Sequence, residues 1–293
     1  MNKDKKLKIG ILGSGNIGTD LLIKALRSEY LNCTIFVGRN LNSPGMQKAM
    51  ELGVKISDKS IDAFLENPNI CDLVFDATSA AYHKKHAKIF KNLDIKVIDM
   101  TPSQVGSICV PAINGNECLE KNNINMITCG GQASIPIAYT LKKVFPEIGY
   151  MEIVSIISSR SAGPGTRANL DEYIYNTENG AMQLTGCKNI KAIINLNPAT
   201  PCIDMQTTIY ALIGECDINK LTIPLDKMVQ QIQSYVPGYR IAIKPVFENG
   251  RIIVMVRVKG YGDYLPKFAG NLDIINCAAI SMAEKYALLR IKE

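Results

Sequence analysis

Short apolar runs alternate with longer segments of helical periodicity through the first 130 residues of this chain. This alternation predicts parallel β-strands connected by helices that cover the sheet. The predicted strands are residues 7–12, 34–37, 72–75 and 96–99, and the predicted helices include residues 19–27 and 80–91.

From residue 151 the pattern changes to one typical of a mainly antiparallel sheet. Residues 152–158 and 191–196 predict strands, and residues 170–184 between them predict a helix. Residues 197–208 are interpreted as a loop that opens another helix-like or mixed region. An apolar stretch at 274–289 predicts a closing helix.

Asn249-Gly250 separates two alternating runs, residues 240–247 and 251–259, and is typical of a type I′ turn in a β-hairpin. In the second run the apolar side chains share one face, which predicts a sheet covered on one side. They are Ile252, Val254, Val256 and Val258. Pro245 cannot donate to a strand ladder, so its strand is predicted to lie at the sheet edge.

These patterns predict an α/β fold with two domains. An N-terminal Rossmann dinucleotide-binding domain is expected to comprise residues 1–130 and 270–293, because the closing helix is expected to pack back on it. Residues 131–269 are expected to form an α+β domain with a mainly antiparallel sheet.

The first predicted strand runs directly into Gly13-Ser14-Gly15-Asn16-Ile17-Gly18, a Gly-x-Gly-x-x-Gly sequence followed by a predicted helix. In this setting the first glycine permits a tight turn, the second lets backbone approach a pyrophosphate, and the third allows close packing. A merely glycine-rich turn is the alternative. Asp76-Ala77-Thr78-Ser79 and Met100-Thr101-Pro102 follow later strands, where either ligand binding or ordinary loop chemistry is open.

The end of the second predicted strand bears on cofactor choice. NAD-specific sites usually have an acidic residue here for the ribose hydroxyl, whereas an arginine accepts the 2′-phosphate of NADP. This chain has Gly38-Arg39-Asn40. The residues alone therefore leave NAD and NADP open.

Cys129 lies between a strand-like run and two glycines, in Thr128-Cys129-Gly130-Gly131. A helix is predicted to begin near Ile135-Pro136, with Pro136 in its first turn. Open backbone and a nearby helix N-terminus favour the thiolate, so Cys129 is the candidate nucleophile of an aldehyde-oxidising enzyme. A thiolate adds to an aldehyde, and loss of hydride to a nicotinamide leaves a thioester. A buried structural cysteine is the alternative.

Composition excludes several other functions. The net charge of +6 is scattered, aromatics make up 6% and Trp is absent, so nucleic-acid binding is not expected. Nine cysteines without a Cys-x-x-Cys pair predict free thiols, and zinc is not expected. His83 and His86, surrounded by lysines, are expected on a solvated surface. No membrane-length apolar run or signal region is present, so a cytoplasmic location is expected.

The loop at residues 161–169 contains an arginine and small residues whose amides can hold a phosphate or a nicotinamide, although a plain linker has the same composition. Together with the motifs above, it carries a resemblance that spans nearly the whole chain. The matching segments are residues 13–20, 75–80, 125–133, 161–169, 235–240, 264–266 and 269–274. In these segments the chain resembles the acetylating acetaldehyde dehydrogenases, which partner 4-hydroxy-2-oxovalerate aldolase in meta-cleavage pathways of aromatic breakdown.

The resemblance implies conversion of acetaldehyde or propionaldehyde, CoA and NAD to acyl-CoA and NADH through a thioester on Cys129. It further implies a homodimer within a hetero-oligomer with the aldolase subunit, with substrate channelled between active sites, and a catalytic and oligomerisation role for the second domain. The residues that it assigns to NAD are Ser14, Gly15, Asn16, Ile17, Ser161, Ala162, Gly163, Pro164, Gly165, Thr166, Arg167, Ala168, Asn169 and Asn271.

The chain departs from the family pattern at three places. Arg39-Asn40 replaces a common aspartate, and the segment between Arg240 and Tyr264 is shorter. Thr207 stands where members typically have an aspartate that assists the chemistry, so no general base is assigned. Two other hypotheses are a semialdehyde or acyl-phosphate reductase, disfavoured because no histidine follows His86, and a non-catalytic dinucleotide sensor.

Overall fold

The structure is a computed structural model that describes residues 6–292, apart from the side chains of residues 164, 165 and 292. It divides into two compact units. The first unit runs to Met126 and also includes the C-terminal segment from Asn276, and the second is Ile127–Ile275. The predicted α/β class, with a parallel sheet in one unit and a mainly antiparallel sheet in the other, is confirmed.

The elements of the first unit alternate between strand and helix through most of its length. In chain order they are β1 (Leu7–Leu12), α1 (Asn16–Arg27), β2 (Leu31–Val37), α2 (Pro44–Glu51), β3 (Ile56–Ser57), α3 (Asp62–Leu65), β4 (Leu73–Asp76), α4 (Ala80–Asn92), β5 (Lys96–Asp99), β6 (Ser107–Ile108), α5 (Pro111–Cys118) and β7 (Asn123–Asn125).

The second unit begins with a helix and then builds its own sheet. Its elements are α6 (Cys129–Val144), β8 (Tyr150–Ser158), α7 (Pro164–Ala168), α8 (Leu170–Thr185), β9 (Asn189–Asn197), β10 (Met205–Leu212), α9 (Thr222–Gln233), β11 (Tyr239–Glu248) and β12 (Arg251–Val258). Helix α10 (Gly270–Lys292) ends the described chain. Among residues 6–292, no helix has the length and apolar character needed to cross a membrane.

The sheet of the first unit has the order β3-β2-β1-β4-β5-β7-β6, and all its pairings are parallel. Its central strands are almost continuously buried, as expected for a sheet covered on both faces. The strand order reverses direction between β1 and β4. In open α/β sheets, ligands bind outside the carboxyl ends of the strands at such a reversal.

From Asn276 onward, α10 packs against α1 and the turn after it. The Asn276 side-chain amide donates to Asp20 Oδ2 at 2.8 Å, and Asp20 also pairs with Lys24 at 2.9 Å. Ser28 Oγ donates to Glu284 Oε1 at 2.6 Å. The two contacts made by α10 connect residues 256 positions apart, so the C-terminal segment completes the first unit.

The sheet of the second unit has the order β11-β12-β10-β8-β9, with antiparallel pairings except between β8 and β9. The predicted hairpin is confirmed, since Asn249 and Gly250 both have positive φ (49° and 74°), as a type I′ turn requires. Strand β11 lies at the sheet edge, as Pro245 predicts, and its register with β12 shifts between Ile243 and Val246.

The prediction of a loop at residues 197–208 that opens a helix-like or mixed region was wrong for residues 205–212. These residues form β10, which lies between β12 and β8 in the middle of the sheet. The inward face of β10 combines apolar residues with Thr207, which is 1% exposed. A hydroxyl on this face weakened the alternation in the sequence, yet its hydrogen bond to Ser155 Oγ (3.1 Å) makes burial possible.

The expectation that His83 and His86 face solvent was also wrong. Both rings are buried on α4, and each Nδ1 lies within hydrogen-bond distance of Asp76 Oδ2, at 2.8 and 2.9 Å. His83 Nε2 lies 3.4 Å from Asp99 Oδ2. His83, His86 and Phe90 recur at helical spacing on one face, so the buried carboxylate outweighs the neighbouring lysines.

The carboxylates at the ends of β4 and β5 have opposite pKa shifts. Burial alone would raise the pKa of Asp76, but hydrogen bonds from His83, His86 and Thr78 hold it at about 2. Burial raises the pKa of Asp99. Burial also opposes charge on His83, yet its bond to Asp76 and the charge of Asp99 raise its pKa overall. The two post-strand loops whose role was open thus form a buried polar cluster.

We expect Asp76→Asn to lower the free energy of unfolding by about 3–5 kcal/mol near pH 6, because the buried imidazoles of His83 and His86 lose the negative charge of their shared partner. The Asp76 contribution is complete above about pH 4 and is lost as pH falls towards 2. The His83 contribution is complete below about pH 6.5 and is lost as pH rises through its raised pKa. Urea unfolding of both proteins across this range measures the difference.

Asp72→Asn is the matched control, since Asp72 lies just before the same strand and makes an exposed ion pair with Arg290. Its loss should cost less than about 1 kcal/mol. Equal urea midpoints for wild type and Asp76→Asn from pH 4 to 6.5 would contradict a stabilising role for the cluster.

Candidate active site

The glycine-rich turn between β1 and α1 has the geometry that a dinucleotide requires. Gly13 has φ +122°, and a Cβ there would lie 2.5 Å from the Ala77 carbonyl oxygen. A Cβ on Gly18 would lie 1.8 Å from the Gly13 carbonyl oxygen. Nothing lies within 4 Å of the Cβ position of Gly15. The first and third glycines therefore close the turn, and the second leaves open space above the backbone.

The predicted pyrophosphate-binding residues Ser14, Gly15, Asn16 and Ile17 lie on this turn and the start of α1. Helix α1 begins at Asn16, and neither a capping side chain nor an acidic residue occupies its first turn. Its first amides consequently remain available to an anion, which the helix dipole also favours. The site thus fits a pyrophosphate, while the predicted assignment of each residue stays a prediction.

Arg39 follows β2 and is exposed, as the NADP alternative requires. Its guanidinium lies over the Tyr82 ring, with Cζ 5.6 Å from the ring centroid. Gly38 brings this segment close to the turn, since a Cβ there would lie 2.6 Å from Ser14 Oγ. Ser14 Oγ in turn lies 3.2 Å from Ser43 Oγ.

Cys129 is the first residue of α6 in the second unit. Thr128 caps the helix, because its side-chain oxygen accepts a hydrogen bond from the Gly131 amide at 2.9 Å. The prediction that a helix begins near Ile135-Pro136 was therefore wrong, and Pro136 lies inside α6. Gly130, Gly131 and Pro136 have low helix propensity, so the sequence pattern did not predict a helix here. The Thr128 cap nevertheless allows the helix to begin at Cys129.

The backbone just before the cysteine is strained. Ile127 has φ +63°, which is a rare conformation for a β-branched residue and is found mainly where surrounding structure enforces it. Its side chain packs closely against α6 and α8, since Cβ atoms added to Gly131 and Gly180 would lie 3.0 and 3.1 Å from it. The turn at Ile127 thereby directs the chain into the helix at Cys129.

A chain of hydroxyl contacts connects α6 to α8. Thr177 Oγ1 donates to the Tyr173 carbonyl at 2.8 Å, so its single proton is already used. The 2.8 Å contact between Thr128 Oγ1 and Thr177 Oγ1 is therefore donated by Thr128. This bond fixes the first turn of α8, and with it Tyr173, beside the start of α6.

The Cys129 thiol is partly buried and lies 3.8 Å from the Tyr173 hydroxyl. Desolvation by burial raises the pKa of the thiol to about 11, although the Tyr173 hydroxyl and the amides of Gly130 and Cys129 lower it. The resting site thus differs from the expectation that the helix N-terminus favours thiolate. Desolvation outweighs the dipole here.

The second predicted cofactor segment, residues 161–169, folds into a 3-10 turn (Ser159–Ser161) followed by α7. Arg167 does not extend from this segment, because its guanidinium donates to the Ser159 and Ala162 carbonyls at 2.8 and 3.1 Å. The side chains of Pro164 and Gly165 lie outside the described residues. The assignments of Ser161, Ala162, Gly163, Thr166, Ala168 and Asn169 to NAD stay predictions.

The side chain of Asn271 has a buried carbonyl oxygen, Oδ1, that bears on ligand binding. It is 1% exposed, and its side-chain amide donates to the Ser161 carbonyl at 3.3 Å. Among the described residues no donor reaches its Oδ1. A buried carbonyl without a partner is costly, so this atom fits the amide hydrogen of a ligand such as nicotinamide.

Sequence reasoning missed Tyr173 and Ser155 as members of the site. Ser155 was detectable in principle, because it takes an inward position on β8 between apolar residues and is 1% exposed. Tyr173 gave no such signal, since an aromatic residue at helical spacing usually belongs to the core.

Comparisons with known proteins agree with this description. Residues 8–120 match the family model described as semialdehyde dehydrogenase, NAD binding domain. Residues 129–266 match the model described as prokaryotic acetaldehyde dehydrogenase, dimerisation. Acetaldehyde dehydrogenase of Pectobacterium atrosepticum is 57% identical over 99% of this chain and 98% of its own length. The Spirochaeta aurantia enzyme of the same name is 56% identical over 97% and 95%, respectively.

The chain belongs to the acetaldehyde dehydrogenase family. It is accordingly an NAD-dependent oxidoreductase that acts on aldehydes, as the sequence resemblance predicts. Aspartate semialdehyde dehydrogenase II of Vibrio cholerae, solved in complex with ASA, has a TM-score of 0.61 at 13% identity. It covers 98% of this chain and 99% of its own, and it shares the fold.

We expect Gly15→Ala to leave stability within about 1 kcal/mol and to weaken NAD binding at least roughly tenfold. The added methyl fits the folded chain, since φ at Gly15 is −80° and the space is open, but it would occupy the place of the pyrophosphate. Thermal unfolding and titration calorimetry with NAD measure the two effects.

Two further glycines provide the controls. Gly149→Ala also adds a methyl into open space but in the second unit, so it should leave NAD affinity unchanged. Gly18→Ala should destabilise the fold itself, because its Cβ meets the Gly13 carbonyl. Unchanged NAD affinity in a folded Gly15→Ala variant would refute the assigned role of the turn.

Proposed function

We propose that the chain oxidises acetaldehyde, and propionaldehyde as a close homologue, to the acyl-CoA through a thioester on Cys129. The observation that carries this proposal is the placement of the Cys129 thiol at the first position of α6, partly accessible and against a phenol hydroxyl. Six other cysteines are buried, and Cys202 and Cys216 lie in loops rather than at the first position of an α-helix.

The reaction starts when the Cys129 thiol loses its proton and its sulfur forms a bond to the aldehyde carbon. The π electrons of the carbonyl move to oxygen, and the amides at the start of α6 favour the negative charge that develops nearby. As hydride leaves the same carbon, an electron pair of this oxyanion re-forms the carbonyl bond, which leaves a thioester on Cys129. Attack by the CoA thiolate then frees Cys129 and yields acyl-CoA.

NAD, when bound, supplies the hydride acceptor of this reaction. The turn of Ser14, Gly15, Asn16 and Ile17 would hold its pyrophosphate, and Asn271 with the segment from Ser161 to Asn169 would hold the nicotinamide. Open space at Gly15 and the unpartnered Asn271 Oδ1 support this assignment. Arg39 keeps NADP as an alternative, because a guanidinium suits a 2′-phosphate.

CoA is proposed as the acyl acceptor in preference to phosphate. Reductases that use phosphate or a semialdehyde generally pair the cysteine with a histidine. The two histidines of this chain both bind Asp76 in the first unit, so neither is available to the thiol. The relatives' name, acetaldehyde dehydrogenase, supports a small aldehyde as the substrate.

The match of residues 129–266 to a dimerisation model supports a homodimer built from the proposed catalytic and oligomerisation domain, residues 131–269. We propose that residues 1–130 and 270–293 serve as the NAD-binding domain. A 4-hydroxy-2-oxovalerate aldolase subunit, which supplies acetaldehyde by channelling, is the proposed partner, and the cytoplasm is the proposed location.

We expect CoA-dependent NADH formation from acetaldehyde to fall at least about 10³-fold in Cys129→Ser, because a serine hydroxyl is a much weaker nucleophile without an adjacent base. Absorbance of NADH under steady-state conditions measures this. Cys202→Ser, which changes another partly exposed cysteine, should retain full activity. Near wild-type turnover by Cys129→Ser, or turnover with phosphate in place of CoA, would overturn the proposal.

A further inference from the structure

A line of three buried hydroxyl groups ends at the Cys129 sulfur. Tyr173 on α8 places its hydroxyl 3.8 Å from Sγ. The Ser155 hydroxyl on β8 bonds the Tyr173 oxygen, and Ser155 Oγ lies 3.1 Å from Thr207 Oγ1 on β10. Three separate elements therefore contribute one hydroxyl each to a continuous line inside the second unit.

The line occupies a space that only glycine leaves free. A Cβ on Gly130, the residue after the cysteine, would lie 2.1 Å from the Tyr173 hydroxyl and 3.1 Å from Ser155 Oγ. Gly130 φ is not positive, so backbone conformation does not require glycine there. The first glycine after Cys129 is instead explained by the room that the Tyr173 phenol needs.

In the resting site the Cys129 thiol donates to the Tyr173 oxygen. Once the thiol has lost its proton, the phenol O–H can turn and donate to the sulfur. The Ser155 hydroxyl bonds the Tyr173 oxygen, and in the pair of Ser155 and Thr207 either hydroxyl can donate. Hydroxyl chains of this kind polarise cooperatively in a dry interior.

We propose that Tyr173 is a catalytic residue that donates a hydrogen bond to the Cys129 thiolate, and that Ser155 and Thr207 are positioning residues which orient its hydroxyl. This inference rests on the proposed function of Cys129. It assigns a role to Thr207, which stands at the position where an aspartate is expected in the family.

The step is an ionisation without transfer of the phenol proton. The thiol gives its proton to aqueous base, the sulfur retains the electron pair, and the Tyr173 O–H turns to donate to it. The sulfur then forms its bond to the aldehyde carbon as the carbonyl pair moves to oxygen. Burial raises the pKa of Tyr173 well above its usual value, so the phenol stays a donor at neutral pH.

The surroundings leave few other groups for this task. Desolvation raises the thiol pKa, and among the described residues Tyr173 is the one side chain that lowers it, together with two backbone amides. Tyr239 also meets α6 from the second sheet, but its hydroxyl donates to the Ala133 carbonyl at 2.8 Å. A neutral donor therefore replaces the charged partner that many reactive cysteines have.

Alkylation of Cys129 by iodoacetamide, followed by peptide mass spectrometry between pH 6 and 10, tests the proposal without aldehyde, NAD or CoA. Loss of a hydrogen bond to a charged group lowers the thiolate fraction roughly 10–100-fold, and greater nucleophilicity of the more basic thiolate recovers part of this. We expect Tyr173→Phe to alkylate roughly 3–10-fold more slowly at pH 8, with its profile shifted to higher pH and kcat/KM reduced similarly.

Tyr175→Phe, at an exposed position two residues further along α8, is the matched control and should match wild type. Ser155→Ala and Thr207→Val should each slow alkylation in the same direction by a smaller factor. Neither should slow it further in a Tyr173→Phe background, because both act through the phenol. A merely structural defect would add to the Tyr173→Phe effect instead.

Wild-type alkylation rates and pH profile in folded Tyr173→Phe would overturn the role of Tyr173, as would faster alkylation. Full additivity of Thr207→Val with Tyr173→Phe would overturn the positioning roles. If Cys129→Ser were active, the proposed function itself would fail, whatever Tyr173→Phe shows. An inactive Cys129→Ser beside an unaffected Tyr173→Phe would leave that function standing and reject this inference alone.

Discussion

The hydrogen bond from Thr128 to Thr177 fixes the geometry on which the rest of the candidate site depends. Thr128 Oγ1 accepts the Gly131 amide and so begins α6 at Cys129, and the same atom donates to Thr177 on α8. The Thr177 hydroxyl in turn donates a hydrogen bond to the Tyr173 carbonyl. One buried hydroxyl thus determines where the nucleophile starts its helix and where the phenol stands, although it touches neither reacting atom.

Because the site is buried and, in the described part of the chain, holds no charged residue beside the sulfur, it suits an uncharged substrate. Desolvation raises the pKa of Cys129 to about 11, so the thiolate is scarce in the resting enzyme. The amides of α6 and the Tyr173 hydroxyl offset part of that cost without placing an ion beside the sulfur. A small aldehyde is uncharged, and a dry neutral site suits both the aldehyde and a thioester that must resist hydrolysis.

Sequence patterns predict much of the fold because hydrophobic periodicity and turn chemistry are local. The β1 run, the glycine turn and the Asn249-Gly250 hairpin all follow from residues that are neighbours in the chain. The missed features depend on partners far away. Strand β10 is concealed because Thr207 needs Ser155 to be buried, and the histidines of α4 are buried because Asp76 accepts both.

The residues of the candidate site also fall into those that local sequence predicts and those that depend on distant partners. Cys129 stands out because glycines surround it, whereas Tyr173 and Ser155 acquire their role only when α8 and β8 meet the start of α6. The start of α6 itself was misplaced, because Gly130, Gly131 and Pro136 disfavour a helix locally. The Thr128 cap and packing against α8 override that preference.

The most direct test of the account is the detection of the acyl-enzyme itself. The protein is mixed with acetaldehyde and NAD in the absence of CoA, quenched in acid, digested and analysed by mass spectrometry. We expect one acetyl group on the peptide that contains Cys129, which disappears when CoA is added before the quench and persists when phosphate is added. An acetyl group on another cysteine, or NADH formation with CoA but no acetylated Cys129, would contradict it.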